Sequence, residues 1–213
     1  MNKTLLYIHG FASAGSSGTA VQMRTHLYPK GVMVESPDIP VDPIEAMLFL
    51  RQKVQDVQPS LIVATSMGAL YAEQLRGVPR ILVNPSFQMA RLLMMRGMGR
   101  QQFRNKRMDG SKDFKVDKAM IEAFRQVEKH SFEAITPQEK ELVWASLVCR
   151  TRMSIARAFS ASIMARAISS PFRVNIISTG RCWAIRSFLW WNSFFRSSNQ
   201  YPNGNDTVIE QKR

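Results

Sequence analysis

Short apolar runs alternate with amphipathic stretches up to about residue 144 of this 213-residue chain, and this alternation constrains the fold most. The apolar runs at 4–8 (TLLYI), 61–65 (LIVAT) and 80–85 (RILVNP) are typical of buried strands, and LIVAT is apolar on both faces, as central parallel strands are. The stretches 44–57 and 68–77 have helical spacing. The pattern predicts an α/β fold with a mostly parallel sheet flanked by helices.

Capping residues mark two of the predicted helix starts. Asp42 followed by Pro43 is typical of an N-cap and a first helical position. Thr136 with Glu139 three residues later predicts a capping box, in which each side chain bonds the other residue's amide.

The composition excludes several classes of protein. No run of about 18 apolar residues occurs, and the N-terminus passes directly from TLLYI into glycine and polar residues, so neither a membrane span nor a signal peptide is predicted. We therefore expect a cytoplasmic protein with no membrane partner. Two cysteines, Cys149 and Cys182, give no disulfide framework and no zinc spacing, and we expect no metal or cofactor.

The formal net charge of +13 is concentrated in the tail. Residues 145–213 hold ten Lys and Arg against two Asp and Glu, so we treat 1–144 as the folded domain and 145–213 as a basic, Arg- and Ser-rich tail without regular structure. Within the domain, the Met- and Arg-rich segment 91–118 interrupts the alternation. It is either a cap over a site or a solvated insertion, and we prefer the insertion.

Residues 64–68, Ala-Thr-Ser-Met-Gly, join the LIVAT run to the next helical stretch. In α/β-hydrolases the nucleophilic serine lies on such a strand–turn–helix bend, flanked by small residues. Ser66 is thus a candidate nucleophile, although it is equally consistent with a serine that caps the following helix.

The first apolar run ends in His9-Gly10-Phe11, where the α/β-hydrolase fold supplies one amide of its oxyanion hole. The amides of Phe11 and Met67 are therefore the predicted oxyanion donors. His9 belongs to the turn itself, and we expect it to be structural.

These segments together resemble one family. YIHGF, SPDIP, ATSMGALYAEQL and ILVNP, in this order, are similar to the small α/β-hydrolase esterases of the YqiA type over about residues 3–144. The resemblance implies a serine esterase with triad order Ser, Asp, His that hydrolyses small acyl esters or thioesters.

The histidine of that triad is missing. The chain has three histidines, His9, His26 and His130, and none follows residue 130, although the base of this fold comes late in the chain. We expect His130 to be a solvated residue at a helix C-terminus. Triad acid and base are both left unassigned.

The composition of the tail suggests an out-of-frame translation. Trp and Met have single codons, so the frame one base earlier must encode Gly at Trp144-Ala145 and at Met164-Ala165, and Val at Trp190-Trp191. Elsewhere the code permits an Asp soon after Trp144 and a later His, in the order that the family needs. We therefore hypothesise that residues 145–213 are frameshifted.

Three functions follow from the sequence. The first is a serine hydrolase of the esterase or thioesterase type, inactive as written because the triad Asp and His are absent. The second is a non-catalytic binding protein on a hydrolase scaffold. The third, which we disfavour, is nucleic-acid binding through the basic tail, whose Trp and Phe residues are available for stacking. The sequence leaves the oligomeric state open.

Overall fold

The computed structural model describes residues 3–133 and 135–146. Its strands are β1 Lys3–Ile8, β2 Val32–Glu35, β3 Leu61–Thr65, β4 Arg80–Val83, β5 Gly99–Gln102, β6 Asp113–Val116 and β7 Val143–Ser146. Its helices are α1 Gly18–Leu27, α2 Pro43–Val57, α3 Gly68–Gln74, α4 Met89–Arg96, α5 Lys118–Lys129 and α6 Pro137–Glu141, with a 3₁₀ turn at Tyr28–Lys30.

Five strands form one parallel sheet in the order β2-β1-β3-β4-β7, which confirms the predicted α/β architecture. The carboxyl ends of parallel strands lie at one edge of a sheet, so the turns after β1, β3 and β4 meet there. β7 contains Ala145 and Ser146, the first two residues of the proposed frameshifted segment. The predictions for residues 147–213 lie outside the described residues.

Side chains alternate across the sheet and build a core on each face. On one face Leu6, Ile8, Ile62 and Leu82 pack in a large cluster with residues of α2, α3, α4 and α5. On the other face a smaller cluster, which includes residues of α1, contains Leu5, Tyr7, Val63 and Ile81. The central strand β3 therefore needs apolar residues on both faces, as its sequence predicted.

The two predicted helix caps have different outcomes. Asp42 caps α2, and its Oδ1 accepts from the amides of Ile44 at 2.8 Å and Glu45 at 3.0 Å. Thr136 Oγ1 accepts from the Glu139 amide at 3.2 Å, as predicted. The predicted bond from the Thr136 amide to the Glu139 side chain is wrong. The Glu139 carboxylate instead contacts Arg80 at 2.6 Å, because this fully buried guanidinium needs a counter-charge.

Candidate active site

Ser66 lies on the turn between β3 and α3, at the carboxyl edge of the sheet. Its φ of 54° is in the left-handed region, which a non-glycine residue enters only when its surroundings hold it there. The Ser66 amide donates to Val83 O at 2.9 Å, and its carbonyl accepts from the Ser86 amide at 3.1 Å. These bonds to the chain beyond β3 fix the turn.

The geometry disfavours the capping role of Ser66. An N-cap residue has extended backbone and its side chain accepts from a helix amide, whereas Ser66 has positive φ and α3 has no side-chain cap bond. Within residues 3–133 and 135–146, the half-buried Ser66 hydroxyl has no hydrogen-bond partner.

Two glycines allow β1 and its loop to approach this turn. A β-carbon on Gly68 would lie 2.5 Å from Ile8 O and 2.7 Å from His9 O, so only glycine lets α3 begin against β1. A β-carbon on Gly10 would lie 3.2 Å from the Ser66 β-carbon. The turn that carries Phe11 is consequently in contact with Ser66.

Both predicted oxyanion donors flank this point. Phe11 follows Gly10, and Met67 follows Ser66, at the start of α3. Neither amide donates a hydrogen bond to a protein group in the described part of the chain. Two free amides beside a serine hydroxyl are the groups that a developing oxyanion requires.

The His9 ring is held by backbone groups on both sides. Its Nε2 accepts from the Ile39 amide at 3.2 Å, so the ring proton is on Nδ1, which donates to Gly10 O at 2.9 Å. Burial lowers the pKa of His9 and favours the neutral ring, although the Gly10 carbonyl and Asp38 oppose this shift. His9 is thus a structural residue that joins β1 to the segment after β2.

The other two histidines also have partners away from Ser66. His26 Nδ1 donates to Gln22 O at 2.8 Å on α1, and His130 Nδ1 contacts Glu133 Oε2 at 2.9 Å beyond α5. Both rings are exposed. The described residues include all three histidines of the chain, and none is bonded to the Ser66 hydroxyl.

The position of β7 fixes the edge of the sheet at which the chain continues beyond Ser146. β7 pairs in parallel with β4, and Ser146 is in register with Val83, whose carbonyl bonds the Ser66 amide. The chain therefore leaves β7 at the same edge as Ser66. The Asp and His that the earlier frame permits both follow Ser146, outside the described residues.

Residues 103–108, between β5 and β6, form a strap that is tied to the loop after β1. The Arg104 amide donates to Ala12 O at 2.8 Å, and Ser13 Oγ donates to Asn105 Oδ1 at 3.0 Å. The segment 91–118 is thus a helix and a docked hairpin, and the preferred interpretation as a solvated insertion does not describe its contacts. Sequence reasoning missed this because β5 and β6 are short and largely polar.

Asp38 and Arg107 connect the strap to the segment after β2. The Asp38 carboxylate accepts from the Gly15 amide at 2.7 Å through Oδ1 and from the Met108 amide at 2.6 Å through Oδ2. The buried Arg107 guanidinium donates to Ile39 O at 3.1 Å. One carboxylate therefore joins the loop after β1 to the strap.

Aromatic contacts continue from this strap to the oxyanion turn. The Phe11 ring packs edge-on against Phe114 at 5.3 Å between centroids, and Phe103 lies 4.7 Å from Phe114. Arg107 stacks over Phe103 at 4.7 Å. An apolar surface therefore adjoins the turn that carries the predicted oxyanion amide.

Neither a metal site nor a membrane span is found in the described residues. There, no group of three or more His, Cys, Asp or Glu side chains is placed to hold a metal ion. Likewise, no helix of this part of the chain has the length and apolar character to cross a bilayer.

Solved structures share this fold at low sequence identity. Est1E from Butyrivibrio proteoclasticus is 13% identical, with a TM-score of 0.51 over 92% of this chain and 87% of that chain. Its ferulic-acid-bound form is 11% identical, with a TM-score of 0.51 over 92% and 88%. Alpha/beta hydrolase domain-containing protein 10 from mouse is 13% identical, with a TM-score of 0.48 over 93% and 91%.

The likeness to the two Est1E structures supports the α/β-hydrolase fold that the sequence predicted. No curated protein sequence matches the chain significantly. A family model covers residues 4–147, a range that contains the whole parallel sheet apart from the first residue of β1. The chain belongs to the family described as "Uncharacterised protein family (UPF0227)".

Proposed function

We propose that this protein is a serine hydrolase scaffold of the carboxylesterase or thioesterase type, with Ser66 as nucleophile. The supporting observation is the left-handed Ser66 turn at the carboxyl edge of the sheet, close to Gly10, with a hydroxyl that has no hydrogen-bond partner among the described residues. In a complete triad, a histidine accepts the Ser66 hydroxyl proton as Ser66 Oγ attacks the acyl carbonyl, and the Phe11 and Met67 amides stabilise the oxyanion. The tetrahedral intermediate then expels the alcohol or thiol, which takes that proton, and water hydrolyses the acyl-serine. The substrate is a small acyl ester or thioester, and the chemistry requires no cofactor.

We further propose that the chain as written does not turn over such substrates usefully. Serine is a weak nucleophile without a base, and the three histidines bond to Gly10, Gln22 and Glu133 instead. Loss of a triad member leaves a residual acceleration of about 10³–10⁴ over water from the rest of the site. The frameshift hypothesis explains the missing partners, since the earlier frame permits an Asp and then a His after β7.

Kinetics of two chains test this proposal. The chain as written and a chain translated in the earlier frame after Trp144 are assayed with p-nitrophenyl acetate and butyrate, each with its Ser66→Ala control. We expect Ser66-dependent turnover only in the frame-restored chain. Turnover of the chain as written that disappears in Ser66→Ala would contradict the predicted inactivity and indicate an unconventional base such as His130.

Sequencing of the coding DNA around codon 144 tests the frameshift separately. Early stop codons in the earlier frame would show that the tail is the authentic product. A non-catalytic binding protein is then the second candidate, because the Ser66 hydroxyl has no histidine partner among the described residues. Such a protein would keep its affinity for an ester ligand after Ser66→Ala.

A further inference from the structure

Positive charge in the domain is concentrated in one stretch. Residues 88–108 contain five Arg and one Lys and no Asp or Glu, whereas residues 1–144 as a whole carry a net charge of only +5. This stretch comprises α4, β5 and the strap. The remainder of the domain is therefore close to neutral.

Exposed apolar side chains are concentrated in the same stretch. Met94, Met95, Met98 and Met108 are 50%, 77%, 55% and 93% exposed, and they are four of the nine large apolar side chains that the described residues expose. The Met108 amide donates to the Asp38 carboxylate, and this bond restrains the backbone at the exposed Met108 side chain. Thioether side chains are adaptable at interfaces.

Helix α4, which begins this stretch, buries one side in the core and exposes methionine and arginine side chains on the other. Met89, Ala90 and Leu93 are buried, so the helix has an inner face in the core. The outer face carries Arg91, Met94 and Met95, which the i, i+3 and i+4 spacing places together, while the exposed Arg96 and Met98 lie where the helix ends, on either side of Gly97. We call these five residues, on the outer side and at the C-terminal end of α4, the Met/Arg face.

Most cations of the stretch are unpaired within the described residues. Arg91, Arg96, Arg104 and Lys106 make no ion pair or side-chain hydrogen bond there, whereas Arg100 pairs with Asp113 at 2.9 Å. Arg125 of α5 lies beside Met94, with its guanidinium 3.3 Å from the sulfur, and pairs with Glu122 at 3.0 Å. Free guanidinium groups beside exposed thioethers are suited to an anionic surface with an apolar interior.

We propose that the Met/Arg face binds the surface of an anionic lipid bilayer. Clustered Arg and Lys side chains on an amphipathic element bind anionic headgroups, and exposed apolar side chains between them enter the headgroup boundary. A polyanion such as RNA satisfies the cations but leaves the methionines in water, which favours lipid as the partner. The contact is peripheral and needs no spanning helix, so it departs from the sequence-based expectation of no membrane partner, which rested on the lack of a long apolar run.

Partition of the full chain into vesicles tests this inference. The vesicles are pure phosphatidylcholine or a mixture of phosphatidylcholine with phosphatidylglycerol. Removing two charges with Arg91→Gln/Arg96→Gln should lower partition into the mixed vesicles by about 30-fold. Removing two apolar side chains with Met95→Gln/Met98→Gln should lower it by about tenfold.

The matched control is Leu48→Gln/Arg51→Gln on α2, which removes one exposed apolar side chain and one exposed cation elsewhere. It should change partition by less than about twofold. Circular dichroism confirms that each variant is folded.

Two results would overturn the inference. Unchanged partition of both Met/Arg-face variants means that other residues, such as the basic tail, carry vesicle binding. The second result is that only the arginine variant lowers vesicle partition, and that it lowers binding to a single-stranded oligonucleotide equally. This result would identify a general polyanion-binding surface. Because Ser66 takes no part in this test, its outcome is independent of the proposed hydrolase activity.

Discussion

Ser66 combines an unfavourable backbone conformation with a chemically useful position. A non-glycine residue in the left-handed region costs about 1 kcal/mol or more, and here the bonds to Val83 and Ser86 hold it there. A glycine would adopt the same conformation without this cost. The serine therefore lowers stability in exchange for a hydroxyl at the sheet edge.

A pair of substitutions at Ser66 measures this cost. We expect Ser66→Gly to raise the free energy of unfolding by about 0.5–1 kcal/mol, because glycine removes the strain at φ 54°. Ser66→Ala keeps the β-carbon and should be within about 0.5 kcal/mol of the parent. Urea denaturation checks both values, and a Ser66→Gly variant that is less stable than Ser66→Ala would contradict the strain.

At the scale of elements, the strap restrains the loop that carries the predicted oxyanion donor. Asp38 accepts from one amide of that loop and one of the strap, while the Phe11–Phe114 contact joins β6 to the same loop. Ionised acceptors make hydrogen bonds stronger than neutral ones. The hairpin β5–β6 and the strap thus restrain the backbone of the loop that carries Phe11.

Hydrogen exchange tests this coupling. We expect Asp38→Ala to accelerate amide exchange in residues 10–17 and 103–108 by about 10- to 150-fold, because each segment loses one hydrogen bond to a charged acceptor, worth roughly 1.5–3 kcal/mol. Asp56→Ala is the control, since among the described residues this exposed α2 carboxylate bonds a side chain alone, that of Gln52 at 2.8 Å. Acceleration confined to the strap, with the β1 loop unchanged, would show that Asp38 does not couple the two.

At the scale of the whole molecule, buried titratable groups make folding depend on pH with opposite signs. Burial lowers the pKa of His9, so the folded state stays neutral where the unfolded imidazole, with a pKa near 6.5, gains a proton. Stability from His9 is therefore complete above about pH 6.5 and is lost as the pH falls toward the folded value. Burial raises the pKa of Glu73, so the folded state holds this proton more tightly than the unfolded state. The contribution of Glu73 to the free energy of unfolding therefore decreases as the pH rises.

Comparison with His9→Gln isolates the histidine contribution. The parent should exceed this variant in free energy of unfolding at pH 7.5, and the difference should shrink at pH 5.5 by at most about 1.4 kcal/mol per pH unit. The Glu73 contribution is common to both chains and cancels. His26→Gln is the control for an exposed imidazole, and a constant His9 difference between the two pH values would contradict the argument.

Local patterns predicted the parallel sheet and the position of Ser66, whereas contacts between distant segments were not predictable. Apolar periodicity is a local signal, and it marked β3 and the Asp42 cap correctly. Glu139 also matched a local rule, yet its carboxylate bonds Arg80, which is buried by tertiary packing. The strap was missed for the same reason, because Asp38 and Met108 are far apart in sequence and their bond has no periodic signature.

The approach of two loops at Gly15 has a genetic consequence. A β-carbon there would lie 2.0 Å from Ser36 O, a backbone atom that cannot move aside without displacing the segment after β2. Every missense change in a glycine codon introduces at least that one carbon. We therefore expect only synonymous variation at this codon to leave the packing of the two loops unchanged.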